Sequence, residues 1–415
     1  MINEVNNKVF LNRIYEDYQG RNRDKGVFDK VGYCCFGPLI QGFLEWLYSS
    51  AVEKKIDCVL FFSRDGYFMK KMFDRMFPRT FIQSYYFYAS RRALQVAALH
   101  LHPGFEEVIQ SMFIPREVTY KWLIQKWGGD IDFCSDLLES KQIDIEGVVK
   151  KENLINDIHA RDIYELLSDK IISCSKEESK AFKAYFDSFD IKGRIAIVDI
   201  GWHGNMQRSF SALMDSFGYD HTIIGYYLGV VPRSDNQKYV NMNGYLYQKD
   251  KNEWLYDSSK YVCSLLELCF MAPHGTLLKY TSDKNRVQLD DFEYANTLTA
   301  HNIFLLQEAA EEYVIEHINI NEKVNDPLIC FGPFYQLFMR PSKEVAESFG
   351  DLELVEPKEM KLAEKTKIID VIKHPHRLRD KYVNSSWKMG FLKRLLGLPL
   401  PYEKIVLLSK RLYRP

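Results

Sequence analysis

The sequence predicts an α/β fold: a Rossmann-like, mostly parallel sheet with a helical insertion and a helical C-terminal part. Three observations predict it. Residues 56 to 77 (IDCVLFFSRDGYFMKKMFDRMF) read as an apolar strand, a short polar turn and an amphipathic helix. Residues 193 to 214 (GRIAIVDIGWHGNMQRSFSALM) read the same way. A further apolar run of strand length, TIIGYYLGVV, follows at 222–231.

In chain order, the first part of the α/β core is expected over residues 1–103. It starts with a polar lead-in helix. A core helix over 37–55 follows, opened by Gly37-Pro38, since proline is tolerated at a helix start. A strand at 57–62 leads into the first turn. The alternating run Phe81 to Tyr88 gives a second strand, ending at Ala89-Ser90-Arg91-Arg92. Residues 104–190 are helical in pattern, punctuated at Gly128-Gly129, and read as an insertion between two halves of the sheet. The core resumes over 191–290, with strands at 194–199, 222–231 and 244–247. There, YVCSLLELCFMAPHGTLLKY runs from helix through a Pro-His-Gly turn into a strand. The helical C-terminal part, 291–370, holds a long amphipathic helix over 291–319 and another around 332–350.

Residues 371–415 form a basic amphipathic tail. Eleven Lys and Arg face two acids there, so the tail carries +9 and the rest of the chain −10 behind a total of −1. Trp387, Phe391, Leu392, Leu395 and Leu396 lie among the bases. That composition suits an anionic membrane surface, or equally a basic helix packed on the acidic body.

An apolar fraction of 46% and a charged fraction of 27% belong to a folded chain. The near-neutral total charge points to no nucleic-acid partner. None of the eight cysteines forms a C-x-x-C pair, and the histidines lack H-x-x-x-H or H-E-x-x-H spacing, so no zinc site is expected. The first twenty residues lack the apolar core of a secretory signal, and VGYCCFGPLIQGFLEWLY is broken by Pro38, Gln41 and Glu45. A cytoplasmic location is therefore expected, peripheral on the inner membrane if the tail meets lipid.

The two turns carry the chemistry. In open α/β sheets ligands bind beyond the carboxyl ends of the strands, and the following helix offers free N–H groups that suit phosphate. In the first turn, Gly66 permits a sharp bend, Ser63 can hold phosphate oxygens, and Arg64 can pair with phosphate through two hydrogen bonds. Asp65 can take a proton from an attacking hydroxyl. The alternative is a capped strand–helix junction with an Arg64–Asp65 surface pair. Ser90, Arg91 and Arg92 form a second candidate anion site, with one arginine pointing inward, or an ordinary polar helix start. In the second turn Asp199 ends an apolar strand, which is costly unless the carboxylate is paired or used. Gly201 and Gly204 let a ligand approach the backbone, and His203, Asn205 and Gln207 can donate to its oxygens. Trp202, Glu267 and His274 complete the set as substrate contacts, Glu267 being a lone acid in an apolar helix. No G-x-x-x-x-G-K-[ST] or G-x-G-x-x-G loop is present.

FFSRDGYFMKKMF, YFYASRRAL and VDIGWHGNMQ, in this order, resemble a bacterial family from polysaccharide and O-antigen gene clusters. Gly32-Tyr33 with Gly37-Pro38, and the Glu267 helix running into Ala272-Pro273, extend the likeness over roughly residues 30 to 350. Members often carry a haloacid-dehalogenase-type hydrolase label, which fits a separate module with D-x-D-x-T after an apolar strand. The D-x-D here, Asp130-Ile131-Asp132, follows no such strand. The chain instead resembles the phosphoribosyl-transferring glycosyltransferase module of bacterial ribofuranosyltransferases. That resemblance implies transfer of 5-phosphoribose from 5-phosphoribosyl-1-diphosphate to a sugar hydroxyl of a lipid-linked glycan acceptor. A separate phosphatase would then remove the 5-phosphate. A diphosphate donor commonly carries magnesium, and no residue of the chain is assigned as a metal ligand. Asp65, with Asp199 next, would serve as the base. The conventional phosphoribosyltransferase loop, two acids before a Thr-rich turn, is absent. The rival readings are a sugar-phosphate hydrolase and a non-catalytic glycan-assembly scaffold.

Overall fold

The computed structural model describes residues 4–20, 25–112, 114–129, 131, 138–139, 142–283, 286–318, 324–355, 360–366 and 375–406. Asp130 and Asp132 of the D-x-D, and the last nine residues of the tail, lie outside them.

The core is α/β. Five strands, β1 (Cys58–Phe62), β2 (Gln83–Phe87), β5 (Ile195–Trp202), β6 (Ile223–Val230) and β7 (Asn241–Gly244), form one sheet in the order β2-β1-β5-β6-β7. Every pairing in it is parallel. Counted within the sheet this is 2-1-3-4-5, one of the two common doubly wound orders. Three antiparallel two-stranded pairs lie outside it among the described residues: β3 (Glu117–Thr119) with β4 (Val148–Lys150), β8 (Leu277–Tyr280) with β9 (Val287–Leu289), and β10 (Glu353–Leu354) with β11 (Met360–Lys361).

The central strands are apolar at consecutive positions because both of their faces are covered. All five residues of β1 are buried. Val59 and Phe61 face one core, together with Val198, Tyr226 and the helices Gly37–Glu53, Gly66–Met76 and Leu298–His317. Cys58, Leu60 and Phe62 face the other, together with Ile195, Ile197 and the helices Arg91–Leu99 and Asn205–Ser216.

A third cluster, including Leu99, Phe105, Trp127 and Leu167, belongs to the insertion. The 29-residue helix Ile158–Phe186 ties it to the sheet. Its first half contributes Ile163 and Leu167 to the insertion, and its last turns contribute Phe182 and Tyr185 to the sheet face.

Several boundaries differ from the sequence expectation for identifiable reasons. The helix containing Gly37-Pro38 starts at Val27, and a π segment, Gly32–Phe36, precedes the proline. Such a widened turn accommodates the N–H that proline lacks inside a helix. Strand β5 runs past Asp199 to Trp202, because Val231 N–H still bonds to Trp202 O at 2.8 Å. The expected helix around 332–350 is two, Pro327–Met339 and Lys343–Gly350, divided near Pro341.

The tail residues Trp387 and Phe391 are buried in the main core. Trp387 Nε1 donates to Phe338 O at 2.9 Å, and Arg394, its side chain 1% exposed, pairs with Glu347 and Asp351. This stretch of the tail is a basic helix docked on acidic residues of the body. No helix among the described residues is long and apolar enough to cross a membrane.

Candidate active site

Connections leave β1 and β5 in opposite directions along the sheet, β1 toward β2 and β5 toward β6 and β7. The crevice between such strands is where ligands bind in doubly wound folds. A cleft of about 750 Å³ lies there, lined by the turns after β1, β2 and β5. Three helices begin at its wall: Gly66–Met76, Arg91–Leu99 and Asn205–Ser216. Their first-turn N–H groups and positive dipole ends favour an anion.

Asp65 and Asp199 meet at the cleft wall, close enough for one proton to bridge them. Two carboxyl groups in contact share a proton, because both cannot ionise cheaply. Burial raises Asp65 far above the ordinary carboxylate range. The charges of Asp199 and Glu267 add to that, while Arg64 opposes it. Asp199 is pushed up to about 6 by burial, held back by Arg91, by the hydrogen bond from Asp65 and by the Ile200 N–H at 2.9 Å. Burial and the neighbouring acids therefore favour the proton on Asp65, leaving Asp199 the more acidic of the two. Glu267 lies close enough to raise both. Burial also lifts its own carboxyl, against the Trp202 indole N–H at 3.0 Å and Arg91. Glu267 is exposed and Asp65 partly so, and both line the cleft.

The adjacent arginines diverge. Arg91 is exposed in the cleft, and its charge reaches Asp199, Glu267 and His203. Arg92 also borders the cleft, but its guanidinium is engaged, with Nη1 on both oxygens of the buried Glu178 at 2.7 Å and on Leu278 O at 2.8 Å. Arg64 lines the cleft, held by Thr276 Oγ1 at 2.8 Å and by Glu293. Partial burial, Arg91 and Lys151 push the His203 imidazole below its usual range, so near neutral pH it is an uncharged hydrogen-bonding group.

Ser63, Ser90, Gly201, Gly204 and Asn205 also line the cleft, and each is held in place by the scaffold, whereas Gln207, Gly66 and His274 are not part of its wall. Ser63 Oγ donates to Ala89 O at 2.9 Å and joins the ends of β1 and β2. Ser90 caps its helix, accepting from Ala93 N–H and donating to Leu277 O at 2.7 Å. Gln207 is fully buried, bridging Tyr227 Oη and Asn241 O, and does not reach a ligand. Asn205 accepts from Asn236, whose amide also holds His203 O at 2.9 Å. A Cβ on Gly66 would lie 2.8 Å from the Phe61 carbonyl carbon, so close helix–strand packing requires glycine there. Gly201 sits at φ +110 with Gly229 O 2.6 Å from where a Cβ would be. Gly204 begins its helix in the left-handed conformation. His274 is not part of the cleft wall: it bonds to Tyr86 Oη at 2.6 Å and to Gly275 O, among the rings of Tyr67 and Tyr88.

The cleft also contains residues that local reading passed over. Lys126 reaches it from the insertion, Tyr247 and Tyr256 from beyond β7, and Glu293 from the segment after β9. None lies in a strand–turn–helix unit, and only the fold brings them to the strand ends. In comparisons with known proteins, no family model matches this chain and no curated protein matches it significantly.

Proposed function

We propose that this protein is a glycosyltransferase that moves 5-phosphoribose from 5-phosphoribosyl-1-diphosphate to a sugar hydroxyl of a bacterial glycan. The observation that carries the reading is the Asp65–Asp199 pair, one proton between two carboxyl groups, in a cleft where three helix N-termini meet Arg91. The donor bears phosphate at both ends of a furanose, and the cleft offers anion-binding groups on more than one strand end.

In this mechanism Asp199, the ionised partner, accepts the proton of the acceptor hydroxyl. The acceptor oxygen bonds to C1 of the ribose as the C1–O bond to diphosphate breaks. Diphosphate leaves with the bonding electrons. Arg91 and the N–H groups at the starts of Arg91–Leu99 and Asn205–Ser216 stabilise that charge as it develops. Magnesium would travel with the donor diphosphate. Asp65, a hydrogen-bond donor to Asp199, positions the base rather than acting as one. The product keeps its 5-phosphate, so a separate phosphatase would complete the ribofuranose. A lipid-linked acceptor would place the enzyme at the inner membrane face, and the exposed Leu398 and Leu400 of the tail suit shallow contact with lipid.

Thermal unfolding with 5-phosphoribosyl-1-diphosphate, ribose 5-phosphate, nucleotide sugars and diphosphate, each with and without magnesium, tests the reading. A ligand that binds only the folded state raises the midpoint by mass action. The expected result is a selective shift with 5-phosphoribosyl-1-diphosphate that is lost in Arg91→Ala. A shift with a nucleotide sugar would replace the donor. Release of inorganic phosphate without an acceptor would establish a phosphohydrolase instead, and no shift with any ligand would overturn the reading.

A further inference from the structure

Trp202 is a bulky residue at φ +83, a conformation that side chains with a Cβ rarely adopt. Such backbone persists where surrounding contacts hold it, and it concentrates at ligand sites. The contacts here are specific. Trp202 O accepts from Val231 N–H at 2.8 Å, and the indole Nε1 donates to Glu267 Oε1 at 3.0 Å. The indole lies parallel to the Tyr247 ring, 10° between planes and 6.0 Å between centroids, and Tyr256 packs on Tyr247 at 5.5 Å. All four side chains line the cleft, and Glu267 is close enough to Asp65 and Asp199 to shift both electrostatically.

The result is a rigid aromatic corner with one acid, next to the carboxyl pair. An indole fixed by its own N–H offers an apolar face to the C–H face of a sugar ring. Among the described residues the hydrogen bond to the Glu267 carboxylate comes from that indole, which leaves Oε2 to accept from a sugar hydroxyl. Lys260, over the Tyr256 ring at 5.8 Å, is paired with Asp257 at 2.7 Å.

We propose that the Trp202–Glu267 corner is the acceptor subsite and takes an uncharged pyranosyl residue, stacked on the indole with a hydroxyl on Glu267. Its role as acceptor site rests on the transferase reading; the choice of sugar rests on the corner alone. A carboxylated sugar would bring its charge against Glu267, and Arg91, the cation that reaches Glu267, already answers Asp199 as well.

Saturation-transfer NMR with methyl β-galactopyranoside, methyl N-acetylglucosaminide and methyl glucuronide tests this on the whole protein. Ring-proton saturation is expected for the two neutral glycosides and not for the glucuronide. Affinity should fall about tenfold in Trp202→Ala, the scale of one lost ring contact, and less in Trp202→Phe. Glu267→Gln keeps the shape of the corner and should weaken binding several-fold if Trp202→Ala does not fold. Equal saturation in the parent and these variants, no saturation by either neutral glycoside, or saturation by the glucuronide matching theirs, overturns the proposal. The donor-induced thermal shift, measured on the same proteins, separates the two failures. A lost donor shift with Trp202-dependent glycoside binding sinks the transferase reading and keeps the sugar site. An intact donor shift with Trp202-independent binding does the reverse.

Discussion

Replacing Asp199 by Asn should make the protein more stable and nearly inactive. Asp199 is 5% exposed, and its carboxyl is raised from an ordinary 3.8 to about 6, burial outweighing Arg91, Asp65 and the Ile200 N–H. Between those two values the folded chain binds more protons than the unfolded chain. Stability therefore falls as pH climbs from about 4 to about 6 and stays at the lower level above that. At about 1.36 kcal/mol per pH unit, the penalty near neutral pH is about 3 kcal/mol. Asparagine has the same shape, still accepts from Ile200 N–H and carries no charge. Asp199→Asn should therefore recover up to about 3 kcal/mol at pH 8 and little at pH 4, read from urea unfolding at both values. Transfer should fall by about 10²–10⁴, the usual contribution of a general base. A variant less stable than the parent at pH 8, or one within about tenfold of its activity, would refute the reasoning.

The two arginines should separate cleanly. Arg91→Ala should raise the donor KM and lower Tm near neutral pH, because the Asp199 and Glu267 carboxyls lose a stabilising charge. Arg92→Ala should cost about 2–3 kcal/mol in urea unfolding, because buried Glu178 loses a charged partner. Asp65→Asn still donates toward Asp199, so its activity loss should be smaller than that of Asp199→Asn; the opposite order in kcat would move the base to Asp65. Trp387→Ala removes a fully buried indole and its bond to Phe338 O. It should cost about 3–5 kcal/mol, and a loss under about 1 kcal/mol in urea would show that the tail is not docked.

Local pattern carried much of the fold. Consecutive apolar residues at 58–62 and 223–230 mark strands covered on both faces, and Gly66 and Gly204 mark the turns that end strands and start helices. The same turns contain Asp65, Arg64, Asp199, Trp202 and His203, all of which line one cleft. What the short hydroxyl and amide side chains do was less legible. Ser63, Ser90 and Gln207 satisfy backbone groups or a tyrosine that local sequence does not reveal. A polar residue beside a motif reads alike whether it serves a ligand or the scaffold.

Backbone period and turn chemistry act over a few residues, so the strand–turn–helix units and the chemical types at their ends were already legible in the chain. Only the tertiary structure decided that β1 lies beside β5, which brings Asp65 to Asp199 across the helical insertion. It alone decided that Arg91 faces the cleft while Arg92 meets Glu178, and that Tyr247 backs Trp202. It likewise buried Trp387 within the body. Each of these depends on contacts between residues far apart in the chain, where packing and desolvation select one partner from many that local spacing permits.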